Sequence, residues 1–280
     1  MKNKMSSLQY KKFISVIDVI QYPKEELLIE NYWHNIQILK LFAVCFIVLN
    51  TISFLLHFEF PSTIQILTFI YILIYVGYRK KASKKILDIL LEKCDPERAL
   101  AAYVNLISYA KSQSNWEQHF YNLGSILYYA GRIDGVKKTL SLMKEYCPND
   151  RGKMYYEMIA STLALDDMNQ ESLKHHCENM KQLSNTVRLK GKVKYIYYEK
   201  MQYPALIQMW NNGNFQELYD AILNAKNFDN TMLSKVKKNY YLYQVAKALG
   251  NDDKMIEHRE YVIKNGNGLW YCKELKKSVF

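Results

Sequence analysis

The densest cluster of metal-binding or nucleophilic side chains in this chain is His175-His176-Cys177-Glu178. Consecutive helical residues point about 100° apart, so at most two of the four can reach one ion. No second His or Cys pair at ligand spacing completes a shell. The run reads as a surface helix, and neither a metal nor a cofactor is expected. A cysteine nucleophile would need a histidine brought near by folding; His119, His175, His176 and His258 are all available, and no spacing selects one. GxSxG, HExxH, a phosphate-binding GKS and GxGxxG are absent. The paired acids Asp166-Asp167 and Asp252-Asp253 fall where turns are expected and read as helix caps. No catalytic residue is assigned, so the chain is read as a non-enzyme, with a membrane-bound enzyme ranked behind two binding roles.

Tyrosine is the other side chain used heavily: there are 24, with doublets at Tyr128-Tyr129, Tyr155-Tyr156, Tyr197-Tyr198 and Tyr240-Tyr241. A phenol ring offers a flat apolar face and a hydroxyl, which suits a peptide groove and suits interhelix packing equally well.

The elements that must position these residues are helices. The composition is 49% apolar with ten Gly and five Pro, too few for the turns of a many-stranded β fold. Long stretches rich in Leu, Lys, Glu, Ala, Met and Gln favour helix. Five cysteines, Cys45, Cys94, Cys147, Cys177 and Cys272, lie at wide irregular spacing and read as reduced thiols of a cytosolic compartment. The net charge of +11 attracts polyanions without choosing among them. No aromatic-basic binding module accompanies it, so no specific nucleic acid is expected.

Two charge-free runs stand out near the N-terminus. Leu41 to Phe58 is eighteen residues long, a helix of roughly 27 Å. After Glu59-Phe60-Pro61 a second run extends from Ser62 to Tyr78. Together they read as a transmembrane helical hairpin, 36–80, with Asn50, Thr51, Ser53, His57, Gln65 and Thr68 able to hydrogen-bond across the pair. Lys2, Lys4, Lys11, Lys12, Lys24 and Lys40 precede the hairpin, Arg79, Lys80, Lys81, Lys84 and Lys85 follow it, and the loop between carries no basic residue. Both termini are therefore expected in the cytosol of a cell membrane, read as a bacterial inner membrane, with the second basic group against anionic lipid. Residues 1–35 form a cytosolic segment in which Tyr10, Phe13, Ile14, Ile17 and Ile20 make an amphipathic helix, followed by an interfacial Tyr32-Trp33 pair.

From Lys84 onward, helix-sized amphipathic runs alternate with brief polar turns. Cys94-Asp95-Pro96-Glu97 marks the clearest boundary, with Asp95 as cap and Pro96 at the first helical position of a helix to about Ala110. Trp116 to Asp150 carries Leu123-Gly124, Leu127, Gly131, Val136, Leu140, Met143 and Pro148. At these spacings the segment resembles a tetratricopeptide repeat. Gly124 would allow close helix approach, Gly131 would take positive φ, and Pro148 would stop the second helix. Fainter echoes follow at Met154–Leu183 around Asp166-Asp167, at Leu206–Lys226 around Gly213, and at Tyr240–Lys264 around Gly250.

The chain is thus expected to be all-α: a transmembrane helical hairpin followed by a tetratricopeptide-like α-solenoid of antiparallel helix pairs over 81–280. The resemblance implies a concave groove lined by first helices, with Tyr121, Ser125 and Tyr128 in the clear unit and Tyr240, Gln244 and Lys247 in the last. The expected function is that of a membrane-anchored adaptor binding a protein or peptide on the cytosolic face, with membrane lipids as the second partner. The alternative is a membrane sensor or immunity-type protein whose hairpin contacts a membrane complex or an external agent.

Overall fold

Residues 23–55, 62–109, 116–189, 191–225 and 230–277 are described by a computed structural model, and among them every regular element is an α-helix. The expected amphipathic helix around Tyr10 to Ile20, His57 and the outer loop lie outside these residues, as do the side chains of Tyr32, Trp33, Ser53, Arg79, Lys80, Lys81 and Lys84.

The two charge-free runs belong to the two longest helices, α1 (Pro23–Leu55) and α2 (Ser62–Leu91). Tyr71 meets Phe46 and Phe42 at ring-centroid distances of 5.6 and 6.3 Å, while Asn50 Nδ2 donates to Thr68 Oγ1 at 3.1 Å. Contacts that move up α1 as they move down α2 define an antiparallel hairpin. Its outer side is apolar: Leu41, Phe42, Val44, Ile47, Val48, Phe54 and Leu55 on α1 and Ile66, Leu67, Phe69, Ile70, Leu73 and Ile74 on α2 are exposed. Among the described residues, however, no helix is long and apolar enough to cross a membrane. The structure establishes a packed hairpin with an apolar exterior, a coarser statement than the transmembrane pair expected from sequence.

Helix α2 continues unbroken past the basic group, and Ile86 and Leu90 near its end are buried in the main core. Beyond it the chain folds as hairpins: α3 (Pro96–Tyr109), α4 (Trp116–Tyr129) with α5 (Ile133–Tyr146), α6 (Asp150–Asp166) with α7 (Gln170–Leu183), α8 (Gly191–Lys200), α9 (Tyr203–Asn211) with α10 (Phe215–Asn224), α11 (Met232–Ala248) with α12 (Asp252–Asn265), and α13 (Trp270–Lys277). Local chemistry sets the boundaries. Asp95 Oδ1 accepts from Arg98 N at 3.1 Å, which starts α3 at Pro96. The turns after α4, α9 and α11 each place a glycine at positive φ, Gly131 at 77°, Gly213 at 72° and Gly250 at 67°. A side chain there would meet the steric penalty that glycine escapes.

Two local expectations are corrected. The carboxylates of Asp166-Asp167 and Asp252-Asp253 do not cap a helix N-terminus, Asp167 instead ending α6 through its backbone N–H; Asn169 and Asn251 are the N-caps, through side-chain oxygens accepting from Ser172 N and Lys254 N. Asparagine one or two residues away has the extended backbone that a cap needs, whereas Asp252 and Asp253 already lie inside the first helical turn, where they complement the helix dipole. Gly124 does not chiefly relieve contact within its own hairpin. A Cβ there would lie 2.7 Å from Ile159 Cδ1 of α6, against 3.6 Å from Thr139 of α5.

Residues 268–271 return to the turns that precede α3 and follow α4. Gly268 N donates to Cys94 O at 3.2 Å, Tyr271 Oη donates to Tyr128 Oη at 3.3 Å, and a Cβ on Gly131 would meet Trp270 Cβ at 2.9 Å. Arg132 pairs with Glu97 at 2.7 Å across the adjacent turn. The start of α13 therefore packs against the turn between α4 and α5, and Tyr203, Tyr271, Phe120 and Leu123 are fully buried in the main core.

Candidate functional site

The helical spacing of α9, α10 and α11 turns one apolar stripe of each toward a shared space. Leu206, Ile207 and Trp210 come from α9, Leu218 and Ile222 from α10, and Tyr240, Tyr241, Gln244 and Val245 from α11; Trp270 of α13 and Leu165 of α6 complete the walls. The resulting groove has a volume of about 300 Å³, at the small end of ligand pockets. Asp166 and Met168 stand exposed at its rim. The surrounding walls push the Asp166 carboxyl up to about 6, against the Tyr128 hydroxyl and the positive charges of Lys237 and Lys200.

Stacking holds the floor of this groove. Tyr240 lies parallel to Tyr271 at 4.7 Å and edge-on to Trp270 at 5.4 Å, and its hydroxyl donates to Glu274 Oε2 at 2.9 Å. Two buried polar atoms of wall residues, Trp270 Nε1 and Tyr241 Oη, have no hydrogen-bond partner among the described residues. An N–H or O–H in that state costs on the order of 1–3 kcal/mol relative to a satisfied one. Such donors mark where an acceptor from outside would gain most.

A second cavity of about 330 Å³ is walled by α2, α4, α6, α8 and α11. Its polar end is an ion cluster. Lys237 Nζ donates to Glu199 Oε1 at 2.6 Å and to Tyr203 Oη at 2.5 Å, and Tyr203 Oη donates to the same carboxylate oxygen at 2.5 Å. Burial disfavours charge on Glu199, but Lys237 and Lys200 outweigh it and hold the carboxyl below its ordinary value. Burial likewise works against Lys237, and Glu199 more than restores it. Lys200, 5% exposed, donates to Thr162 Oγ1 and lies over the Tyr203 ring at 5.3 Å. Burial first, and the like charge of Lys237 second, push its ammonium down to about 7.

The residues nominated from sequence divide between these spaces. Tyr121, Ser125 and Tyr128 line the second cavity; Tyr240 and Gln244 line the groove; Lys247 is exposed and borders neither. The tyrosines are interior, with Tyr121, Tyr128 and Tyr240 all buried. The two sets are not brought into one continuous surface, because Tyr128 and Tyr240 both pack on Trp270 and Tyr271. Lys85 is exposed on α2.

The chemistry-bearing residues sit elsewhere. His176 Nδ1 pairs with Glu157 Oε2 at 2.5 Å, and Cys177 is buried, donating to Lys200 O at 3.5 Å. Among the described residues no group of three or more His, Cys, Asp or Glu could hold a metal ion. Burial pushes the Cys94 and Cys147 thiols up to about 12 and Cys177 up to about 11, away from nucleophilic character. His119 bonds Tyr103 at 2.9 Å and burial lowers it to about 4.

Sequence reasoning missed Trp210, Trp270, Lys200, Lys237 and Glu199. A signal for the lysine was present: Val193, Ile196 and Lys200 recur at the spacing of one helical face, so a charge occupied a position the pattern reserves for core. When the chain is compared with protein families, with curated proteins and with solved structures, none of them matches it.

Proposed function

We propose that this protein is a membrane-tethered binding protein: α1 and α2 seat in a bilayer with both termini cytosolic, and the groove between α9, α10, α11 and α13 takes an extended segment of a partner protein. The observation that carries the binding half is the pair of unpartnered donors, Trp270 Nε1 and Tyr241 Oη, on residues that wall an apolar groove. Backbone carbonyls of an extended chain supply acceptors of the required kind, and the aromatic walls supply contact area. Gln244 adds a donor and acceptor beside them. The reading includes no catalytic step.

The tether rests on the apolar exterior of the hairpin, where Phe54 is 81% and Leu55 68% exposed. A contiguous patch of this kind in water is an aggregation liability, and lipid removes it. The uncharged run 41–58 extends past the described residues by 56–58, and the basic residues flank both open ends of the hairpin. Tethering would raise the local concentration of whatever the groove binds.

The test is photocrosslinking in native membranes from Met168, on the groove rim, and from Lys138, exposed on α5. One protein adduct from Met168 that is missing from Lys138, and weakened by Trp210→Ala, supports the reading. Equal adducts from both positions, or none, overturn it. The continuity of α2 from the hairpin into the core at Ile86 and Leu90 favours a second reading, a sensor in which hairpin movement reaches the repeat unit. Adducts formed only from hairpin positions would select it.

A further inference from the structure

Among the described residues, Lys200 is the charged side chain lining the second cavity that makes no direct ion pair. Its neighbours are Thr162 Oγ1, which accepts from it, and the Tyr203 ring; among the described residues no carboxylate comes within ion-pair distance. Glu199 is close in sequence, but both Lys237 Nζ and Tyr203 Oη already converge on its Oε1. Glu199 and Asp166 act on Lys200 only beyond ion-pair distance, so its ammonium sits at a buried site without a direct counterion. A buried charge without a direct counterion is unfavourable, so such charges in proteins are normally paired, or neutralised.

The space in front of this ammonium has two ends. Lys200, Thr162, Ser125, Asn122 and Gln118 give polar groups; Leu87, Leu91, Val193, Ile196, Met158 and Leu233 give an apolar remainder. Apolar surface dominates the lining. That distribution fits a small molecule with one anionic head and an apolar body, and it excludes a multiply charged or sugar-like ligand, whose polar groups would be stranded. We infer that the cavity between α2, α4, α6, α8 and α11 is a binding site for a small apolar monocarboxylate, its carboxylate paired with Lys200 and Thr162 and its body against Leu87, Leu91 and Ile196. A bound carboxylate supplies a direct counterion, working against the burial and the Lys237 charge that lower the proton affinity of Lys200. Because α2 forms one wall, occupancy touches the helix that runs back into the hairpin.

The site is independent of the groove, and its test needs no protein partner. Full-length protein in lipid nanodiscs is titrated calorimetrically with octanoate and, separately, with 4-phenylbutyrate, each against empty nanodiscs to remove partitioning; the two arms separate straight-chain from aryl acids. At least one acid should bind saturably at one equivalent. Its methyl ester, which keeps the body and loses the charge, should bind about tenfold weaker or worse. Lys200→Met should weaken the acid by a similar factor and leave the ester unchanged, while Lys138→Met, at an exposed position, should change neither. Equal binding of acid and ester to the wild-type protein, or no saturable binding of either acid, overturns the inference even if Lys200→Met fails to fold.

Discussion

Replacing each of the three turn glycines by alanine separates backbone strain from the closure of the fold. Gly131, Gly213 and Gly250 share positive φ of 77°, 72° and 67°, so each substitution forces an L side chain into the left-handed region at about 1–2 kcal/mol. Their surroundings differ. A Cβ at Gly213 or Gly250 meets nothing within 4 Å, whereas at Gly131 it comes 2.9 Å from Trp270 Cβ and 3.7 Å from Trp270 Cγ. Because the nearest atom belongs to the stem of a side chain packed between Tyr240 and Tyr128, it cannot swing aside, and overpacking of that kind costs roughly a further 1–3 kcal/mol. Gly131→Ala should therefore cost about 2–5 kcal/mol and the other two about 1–2. Urea unfolding of the full chain in detergent micelles, followed by circular dichroism, measures the difference. Equal midpoints for all three variants would refute the packing of α13 on the α4–α5 turn.

Three further outcomes follow from named contacts. Trp270→Phe and Tyr241→Phe each delete an unpartnered donor, so melting temperature should hold or rise while the Met168 photoadduct weakens; loss of stability would mean those donors are satisfied inside the fold. Lys200 protonates less readily in the folded chain, about 7 against 10.5. The unfolded chain thus binds more protons above pH 7, and stability should climb with pH by at most about 1.4 kcal/mol per unit. The climb should run from pH 7 to about 8.5, because buried thiols with raised values oppose it above their ordinary 9.0. Lys200→Met should flatten that slope in urea titrations at stepped pH, and an unchanged slope would assign it elsewhere. Asn50→Ala removes the cross-hairpin bond to Thr68 and should lower hairpin stability by about 0.6–1.7 kcal/mol in bilayers, read as a shift in thermal unfolding; no shift would show the bond contributes nothing there.

What was legible in the sequence was what local chemistry fixes. Asp95-Pro96 starts α3 because a carboxylate cap and a residue lacking an N–H satisfy that helix end without help from the rest of the chain. Gly131, Gly213 and Gly250 mark turns because other residues pay to stand there. Asparagine and aspartate compete for the same cap, so sequence alone does not separate the caps Asn169 and Asn251 from their acidic neighbours. The return of α13 had no local signal at all. Tyr271 and Tyr128 meet across 143 positions, and nothing in either segment's periodicity names the other. That one contact decides whether the tyrosines line an open groove or an interior. The ion cluster was hidden differently, since Glu199-Lys200 reads as a solvated pair until Tyr203 and Lys237 are brought over it.

Native Cys45 tests the tether most directly. It is the only exposed cysteine, standing in the middle of the apolar face of α1, while Cys94, Cys147, Cys177 and Cys272 are buried. In opened membrane vesicles a charged, membrane-impermeant maleimide should leave the native chain unmodified on either side. An apolar maleimide should add to one thiol, mapped to Cys45 by mass spectrometry, and denaturation should release all five. Rapid modification of Cys45 by the impermeant reagent, with the protein recovered in the soluble fraction after alkaline extraction, would contradict a hairpin seated in the bilayer.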